Sequence, residues 1–282
     1  MMICRDIVDC RAAIAALRRD GHRIGFVPTM GFLHDGHMSL IARARAECGA
    51  VAVSIFVNPS QFGQAADLAS YPRDEARDLA LLEAAGVALA FVPEVDTIYP
   101  PGDETIVETT RMANTLHGAV RPGHFRGVTT VVARLFNIVQ PDLAVFGEKD
   151  FQQLQVIRRM VGDLHMPVRV MGAPTVREAD GLAMSSRNVR LTPADRAAAP
   201  VLHRALGAGQ AHMHQAGATI GTLRETIEAI IAREPRATLT GLDLVDPDTL
   251  EGLTGPVAGP VAAMLAAQFG DVLLIDQKVM TP

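Results

Sequence analysis

Five short runs of apolar and β-branched residues punctuate the first two thirds of the chain, at 23–27, 51–57, 87–93, 143–146 and 168–171. They do not alternate with polar residues, and stretches with helical spacing separate most of them. Leu40, Ile41, Ala44 and Cys48 fall on one stripe, and 73–85 is a second amphipathic stretch stopped by Gly86. A third helix is predicted at 133–139, ended by Pro141, and Phe151, Leu154, Ile157 and Val161 mark a fourth. Unbroken apolar runs separated by helices are what strands covered on both faces of a parallel sheet require. The pattern therefore predicts a doubly wound α/β domain over about residues 1–175.

Beyond that point the pattern changes. Residues 193–209 and 220–233 read as helices, 239–245 as a strand running into the turn Asp246-Pro247-Asp248, and 272–275 as a last short strand. Elements without regular alternation predict a small α+β domain. The stretches around His212 and His214 and at 252–260 read as surface connections. No internal repeat or low-complexity segment interrupts either part.

Composition narrows the function. With 282 residues, 49% of them hydrophobic, the chain can fill two cores. A formal net charge of -5 argues against nucleic-acid or anionic-membrane partners, so any phosphate site must be local. Cys4, Cys10 and Cys48 form no C-x-x-C pair and suit a reducing compartment. Arg5, Asp6, Asp9 and Arg11 leave no apolar signal-peptide centre, and the apolar runs are too short to cross a bilayer. A cytoplasmic protein is expected.

Ligands of an open parallel sheet collect at the carboxyl ends of its strands, and polar clusters follow the predicted strands or join the two parts. The first is PTMGFLHDGH, residues 28–37. Asp35 is the expected N-cap of the helix that follows, whose unpaired N–H groups would favour an anion. Gly31 and Gly36 allow close backbone approach, and His34 and His37 stand three apart in the first turn. On spacing alone phosphate binding competes evenly with a metal-chelating H-x-x-H and with simple helix capping.

The second cluster, Asn58-Pro59-Ser60-Gln61-Phe62-Gly63, offers amides, which orient a carboxylate without neutralising it; an Asn-Pro surface turn is the plainer alternative. The third, RPGHFRG at 121–127, reads as a proline-stiffened loop with two arginines and His124, either lining an anionic site or solvated. The fourth, Gly147-Glu148-Lys149-Asp150, places a lysine after a strand, with Gln153 one turn further on. The fifth is Met184-Ser185-Ser186-Arg187-Asn188, whose hydroxyls and guanidinium suit a polyphosphate. Ordinary turn and cap chemistry accounts for either of these last two taken alone.

In this order the clusters resemble those of the pantothenate synthetase (pantoate–β-alanine ligase) family, within the nucleotidylyl transferases and class I aminoacyl-tRNA synthetases. The resemblance spans the chain, through PTMGFLHDGH, NPSQF, YPRD, RPGHFRGV, QPDLAVFGEKDFQQLQ, DGLAMSSRN and LVDPDTLE. It implies a Rossmann-like ATP- and pantoate-binding domain at 1–175 and a C-terminal lid at 176–282. It also implies AMP-forming ligation of pantoate to β-alanine through pantoyl adenylate, with Mg2+ accompanying ATP. By the same resemblance Met30, Gly31, Phe32, Leu33, His34, Asp35, Gly36 and His37 contact ATP, with His37 the proton donor. Gly147, Glu148, Lys149, Asp150, Val176, Met184, Ser185, Ser186 and Arg187 complete the ATP site. His34, Lys149, Ser185 and Arg187 join His37 as catalytic candidates, and Gln61 and Gln153 bind the substrates. No metal ligand is assigned, a homodimer is implied, and His117 stands where the family pattern leads one to expect an acidic residue. The residues leave open a nucleotidyltransferase that adenylylates a phosphorylated acceptor, although such an acceptor would call for more Lys or Arg than Gln61 and Gln153 provide.

Overall fold

Each of the five apolar runs is a strand in the computed structural model, which describes residues 1–63 and 68–282. They are β2 Ile24–Thr29, β3 Ala50–Ile55, β4 Leu89–Phe91, β5 Leu143–Gly147 and β6 Arg169–Ala173. A sixth strand, β1 Met2–Cys4, was not legible: three residues carry no period, and Met2 and Ile3 are exposed. All neighbours pair in parallel, in the order β1-β4-β3-β2-β5-β6. The chain winds outward from β2 through β3 to β4, then returns to β5 on the other side of β2. That reversal makes the carboxyl ends of β2 and β5 the switch point where ligands of such sheets bind.

Strand alternation sends side chains to two cores. Ile24, Phe26, Ala144 and Phe146 belong to one, with Cys10 and Ile14 of α1 Ile7–Arg19. Val27, Leu143 and Val145 belong to the other, with Ile41 and Ala44 of α2 Asp35–Glu47 and Leu82 of α3 Glu75–Ala84. Two short helices, α4 Val95–Ile98 and α5 His117–Val120, precede α6 His124–Val139 and α7 Phe151–Asp163. The predicted third helix thus begins nine residues earlier than its apolar run suggested, at His124 rather than 133. The three cysteines are free and buried, and burial pushes the Cys10 thiol up to about 12. Among the described residues no helix is long and apolar enough to cross a membrane.

The chain folds as two compact units, Met1–Gly147 with Gln152–Pro174, and Glu148–Phe151 with Thr175–Pro282. The second unit contains α8 Pro193–Ala198, α9 Val201–Met213 and α10 Ile220–Ile231, and an antiparallel sheet in the order β7-β8-β9, formed by Thr238–Val245, Val261–Phe269 and Val272–Met280. Leu202, Leu206, Leu223 and Ile227 of the helices share one core with Leu244, Leu265 and Phe269 of the sheet. Three expectations need correction. The helix read at 193–209 is two helices, because Pro200 lacks the N–H that continuation requires. β8 escaped notice because its alanines blur any strand signal, and β9 runs nine residues rather than four. His212 lies in α9, bonded to Thr222 Oγ1 at 2.8 Å, and not in a surface connection.

Candidate active site

The chain leaves β2 through a turn that ordinary residues avoid. Gly31 has φ +80° and Phe32 φ +51°, left-handed values that cost glycine little and a bulky side chain more. Thr29 Oγ1 receives the Gly31 N–H at 3.2 Å and donates to the Ser54 carbonyl at 2.7 Å. The next two N–H groups turn to one buried carboxylate: Phe32 donates to Asp78 Oδ2 at 2.6 Å and Leu33 to Asp78 Oδ1 at 2.7 Å. Arg77 adds a bond from Nη1 to the Leu33 carbonyl at 3.0 Å, with its guanidinium 5.7 Å from the Phe32 ring centre.

His34, not Asp35, is the N-cap of α2. Its Nδ1 reaches the Gly36 N–H at 3.1 Å, whereas Asp35 is already helical and its side chain is exposed. The His34 N–H donates in return to His37 Nδ1 at 3.3 Å, and the two rings lie 4.2 Å apart. Because both Nδ1 atoms accept, each neutral imidazole carries its proton on Nε2. The expected anion site therefore changes character. The Gly36 N–H is taken by His34 Nδ1 and the His37 N–H by the His34 carbonyl, so two of the backbone donors expected to meet an anion are already paired.

Asn58 is buried and organises the second cluster. Its oxygen accepts from Ser60 Oγ at 2.9 Å and Tyr99 OH at 2.8 Å, and its Nδ2 donates to Gln61 Oε1 at 3.0 Å and to the Gly127 carbonyl at 3.1 Å. Burial raises the Tyr99 pKa, which keeps that hydroxyl a donor. Holding the Gln61 oxygen leaves its Nε2 3.1 Å from Met30 Sδ, so the amide N–H groups face the end of β2.

The stretch expected to be a loop, 121–127, instead supplies the start of α6 from His124 onward, after Gly123 at φ +81°. The physical reason is contact with the Asn58 turn. A Cβ at Gly127 would meet the Ser60 carbonyl oxygen at 2.5 Å, and His124 Nδ1 donates to the Gln61 carbonyl at 2.8 Å. Gln153 is half-buried in α7. Its neighbour Gln152, which sequence reasoning passed over, holds the segment around His117: Oε1 receives the His117 N–H at 3.1 Å, and Nε2 donates to the carbonyls of Met112 and Thr115.

The second unit gathers Lys149, Ser185 and Arg187 around a shallow recess, with Asn188, Leu182 and Leu274 completing its wall. Lys149 is mostly buried, 3.8 Å from Asp150. The serine-rich segment hangs from a tight hairpin in which Met184 N–H donates to the Val176 carbonyl at 3.0 Å and Glu178 N–H to the Leu182 carbonyl at 2.8 Å. Arg196 grips its turn with a fork, Nη1 to Asp180 at 2.6 Å and Nη2 to Glu178 at 2.7 Å, and this bond lowers the Asp180 pKa. Asn188 spans the hairpin, donating to Glu178 and to the Ala183 carbonyl. Beneath it Arg177 makes a two-point pair with the buried Asp276, at 2.7 and 2.9 Å.

Within the first unit, then, the structure joins the PTMGFLHDGH turn to the amide cluster through Met30 and Gln61, and the amide cluster to α6. Within the second it joins Lys149 to the serines and Arg187. Asp78 is the contributor that no motif announced, and Asn58, named in the second cluster, organises that cluster by holding Gln61, Ser60 and Tyr99. A signal existed for Asp78, which lies one turn before Leu82 on the buried side of α3; a carboxylate on an apolar stripe implies a partner.

Known proteins resemble the whole chain. The family model described as pantoate-beta-alanine ligase matches residues 2–279. A pantothenate synthetase of Agrobacterium fabrum is 52% identical over 280 residues, covering 99% of this chain and 96% of the relative. The crystal structure of pantothenate synthetase from Thermus thermophilus superposes with a TM-score of 0.93 at 48% identity, covering 100% of both chains. A pantoate-beta-alanine ligase from Francisella tularensis, complexed with beta-gamma ATP and beta-alanine, gives 0.80 at 34% identity, covering 99% of this chain and 97% of that one.

Proposed function

The chain belongs to the pantoate–β-alanine ligase family, and from that premise we propose how its residues divide the reaction. It is an ATP-dependent ligase that condenses pantoate with β-alanine to pantothenate, releasing AMP and pyrophosphate by way of pantoyl adenylate. In the first half a pantoate carboxylate oxygen bonds to the α-phosphorus and the bond to the pyrophosphate oxygen breaks. In the second the amine of β-alanine attacks the acyl carbon, loses a proton, and AMP departs with the carboxyl oxygen.

The observation that carries the assignment is the reciprocal cap of His34 and His37 at the switch point of the sheet. It orients the two imidazoles, which we assign as N–H donors to the phosphoryl oxygens on which negative charge grows, and preformed donors of this kind stabilise the transition state without reorganising. Met30–His37 and Gly147 are assigned to ATP from the first unit, and Glu148, Lys149, Asp150, Val176 and Met184–Arg187 from the second. Lys149 and Arg187 supply formal positive charge to the phosphates, with Ser185 and Ser186 as hydroxyl donors. Gln61, whose oxygen Asn58 holds so that its N–H groups face the end of β2, and Gln153 are assigned to pantoate. A neutral amide holds that carboxylate without the ion pair that would quench its attack.

Among the described residues no group of three or more His, Cys, Asp or Glu side chains could hold a metal ion. We propose that Mg2+ arrives on the ATP phosphates, with water filling most of its shell. We place the enzyme in the cytoplasm as a homodimer. Its free, buried thiols support the reducing compartment, and the exposed Met2 and Ile3 of the edge strand β1 support association.

Exchange of labelled pyrophosphate into ATP tests the reading. It should require pantoate but not β-alanine, and AMP should appear once β-alanine is added. His37→Ala should slow exchange by about 10²–10³-fold. Exchange that needs a phosphorylated acceptor in place of pantoate would overturn the substrate, and wild-type exchange in His37→Ala would overturn the site.

A further inference from the structure

The turn between β2 and α2 must hold an unfavourable conformation and hold it closely, because it ends at His34. Gly31 and Phe32 are both left-handed, and packing secures only part of the turn. Leu33 is buried in the core, but the Met30–Phe32 side faces a cavity of ≈ 300 Å³ that also touches Ile55, Asp78 and Glu94. A turn with space beside it and strain within it relaxes into that space unless something tethers it.

We propose that Asp78 is that tether, a positioning residue that sets the His34/His37 donor pair through the backbone of Phe32 and Leu33. Both carboxylate oxygens are used, one on each N–H, at 2.6 and 2.7 Å. No neutral side chain of similar size presents two acceptors in this geometry; Asn would turn an NH2 toward one of the two N–H groups. The fit is close on the other side as well, since a Cβ at Gly31 would come within 3.0 Å of Asp78 Oδ2. A buried negative charge next to a turn that binds phosphate works against anion binding unless it is offset. Here two N–H groups stabilise the carboxylate and the Arg77 guanidinium, 3.9 Å away, supplies the opposite charge. Arg77 also bonds the Leu33 carbonyl, so one dipeptide of α3 holds Leu33 by both its N–H and its C=O. Asp78 does not reach the substrates through any of these bonds; it acts on them through His34.

The proposal rests on the assignment of His34 and His37 to ATP, and single-turnover formation of pantoyl adenylate separates the two. Asp78→Asn should lower the rate constant about 10–100-fold, the effect of leaving buried donors unmet, while the amplitude per folded molecule and the KM for pantoate stay unchanged. A merely structural role would do the reverse, reducing amplitude and Tm but not the rate constant. Phe32→Gly accepts the left-handed conformation without steric cost, so in that background the effect of Asp78→Asn should shrink to within about threefold. Should Asp78→Asn fail to fold, Arg77→Met, at a side chain 48% exposed, should still slow the step about 3–10-fold. A wild-type rate constant in the variant that folds, or effects that simply multiply in the double variant, overturns the proposal. If His37→Ala is itself as fast as wild type, the site assignment falls and this proposal falls with it; if His37→Ala is slow and Asp78→Asn is not, the proposal alone falls.

Discussion

At the scale of single residues, the proposed site turns on which end of an ambiguous side chain its neighbours occupy. An imidazole can present either nitrogen and a carboxamide either a donor or an acceptor. Here the backbone makes the choice for His34 and His37 by occupying Nδ1, and for His124 the Gln61 carbonyl draws the proton to Nδ1. Asn58 decides for Gln61 by binding its oxygen. Gln61→Ala should therefore raise the KM for pantoate about 10–100-fold, the cost of removing a donor from a carboxylate, with the KM for ATP within about twofold. Initial-rate kinetics check it, and a change confined to ATP would show that the amide serves the nucleotide instead.

Whole elements impose a different logic, because each candidate residue is only as fixed as the segment that carries it. α6 is pressed against the Asn58 turn at Gly127, and the serine-rich segment is held by the hairpin that Arg196 clamps at Asp180 and Glu178. That clamp should be sensitive to acid. The Asp180 pKa is lowered from 3.8, first by the Arg196 bond, so folding favours its ionised form. Its contribution is complete above 3.8 and is lost as the pH falls through the lower folded value. Thermal melts of wild type and Asp180→Asn should differ at pH ~6, with wild type the more stable, and the gap should close only as the pH falls from 3.8 through the lower folded value. A gap that persists at the acid end would mean that Asp180 stabilises the hairpin by something other than its charge.

Across the whole molecule, charge and apolar surface are distributed unevenly. A net charge of -5 coexists with Lys149 and Arg187 beside one recess, so positive charge is gathered locally in an acidic protein. Met2 and Ile3 are left exposed on β1, the edge strand of the six-stranded sheet, and Val8 on the first turn of α1. Analytical ultracentrifugation should give twice the single-chain mass, and Ile3→Lys, which puts a charge on that edge, should weaken the association at least tenfold. A monomer at micromolar concentration would remove the homodimer.

The sequence by itself determined what depends on neighbours along the chain. Apolar runs predicted five parallel strands because burial on both faces demands unbroken apolar residues, and the His34–His37 and Lys149 clusters were readable because each lies within a turn or two of its strand. β1 and β8 escaped because three residues carry no period and alanine suits helix and strand alike. Tertiary structure alone decided the partners: Phe32 and Leu33 meet Asp78 across 46 and 45 positions, and His124 and Gly127 reach the Asn58 turn across 63 and 69. Periodicity records which face of an element is buried, but not which polar group of a distant element will stand opposite. Only the packing of helices on the sheet brings those groups within hydrogen-bonding distance, whereas the His34–His37 pair is oriented by bonds within its own turn.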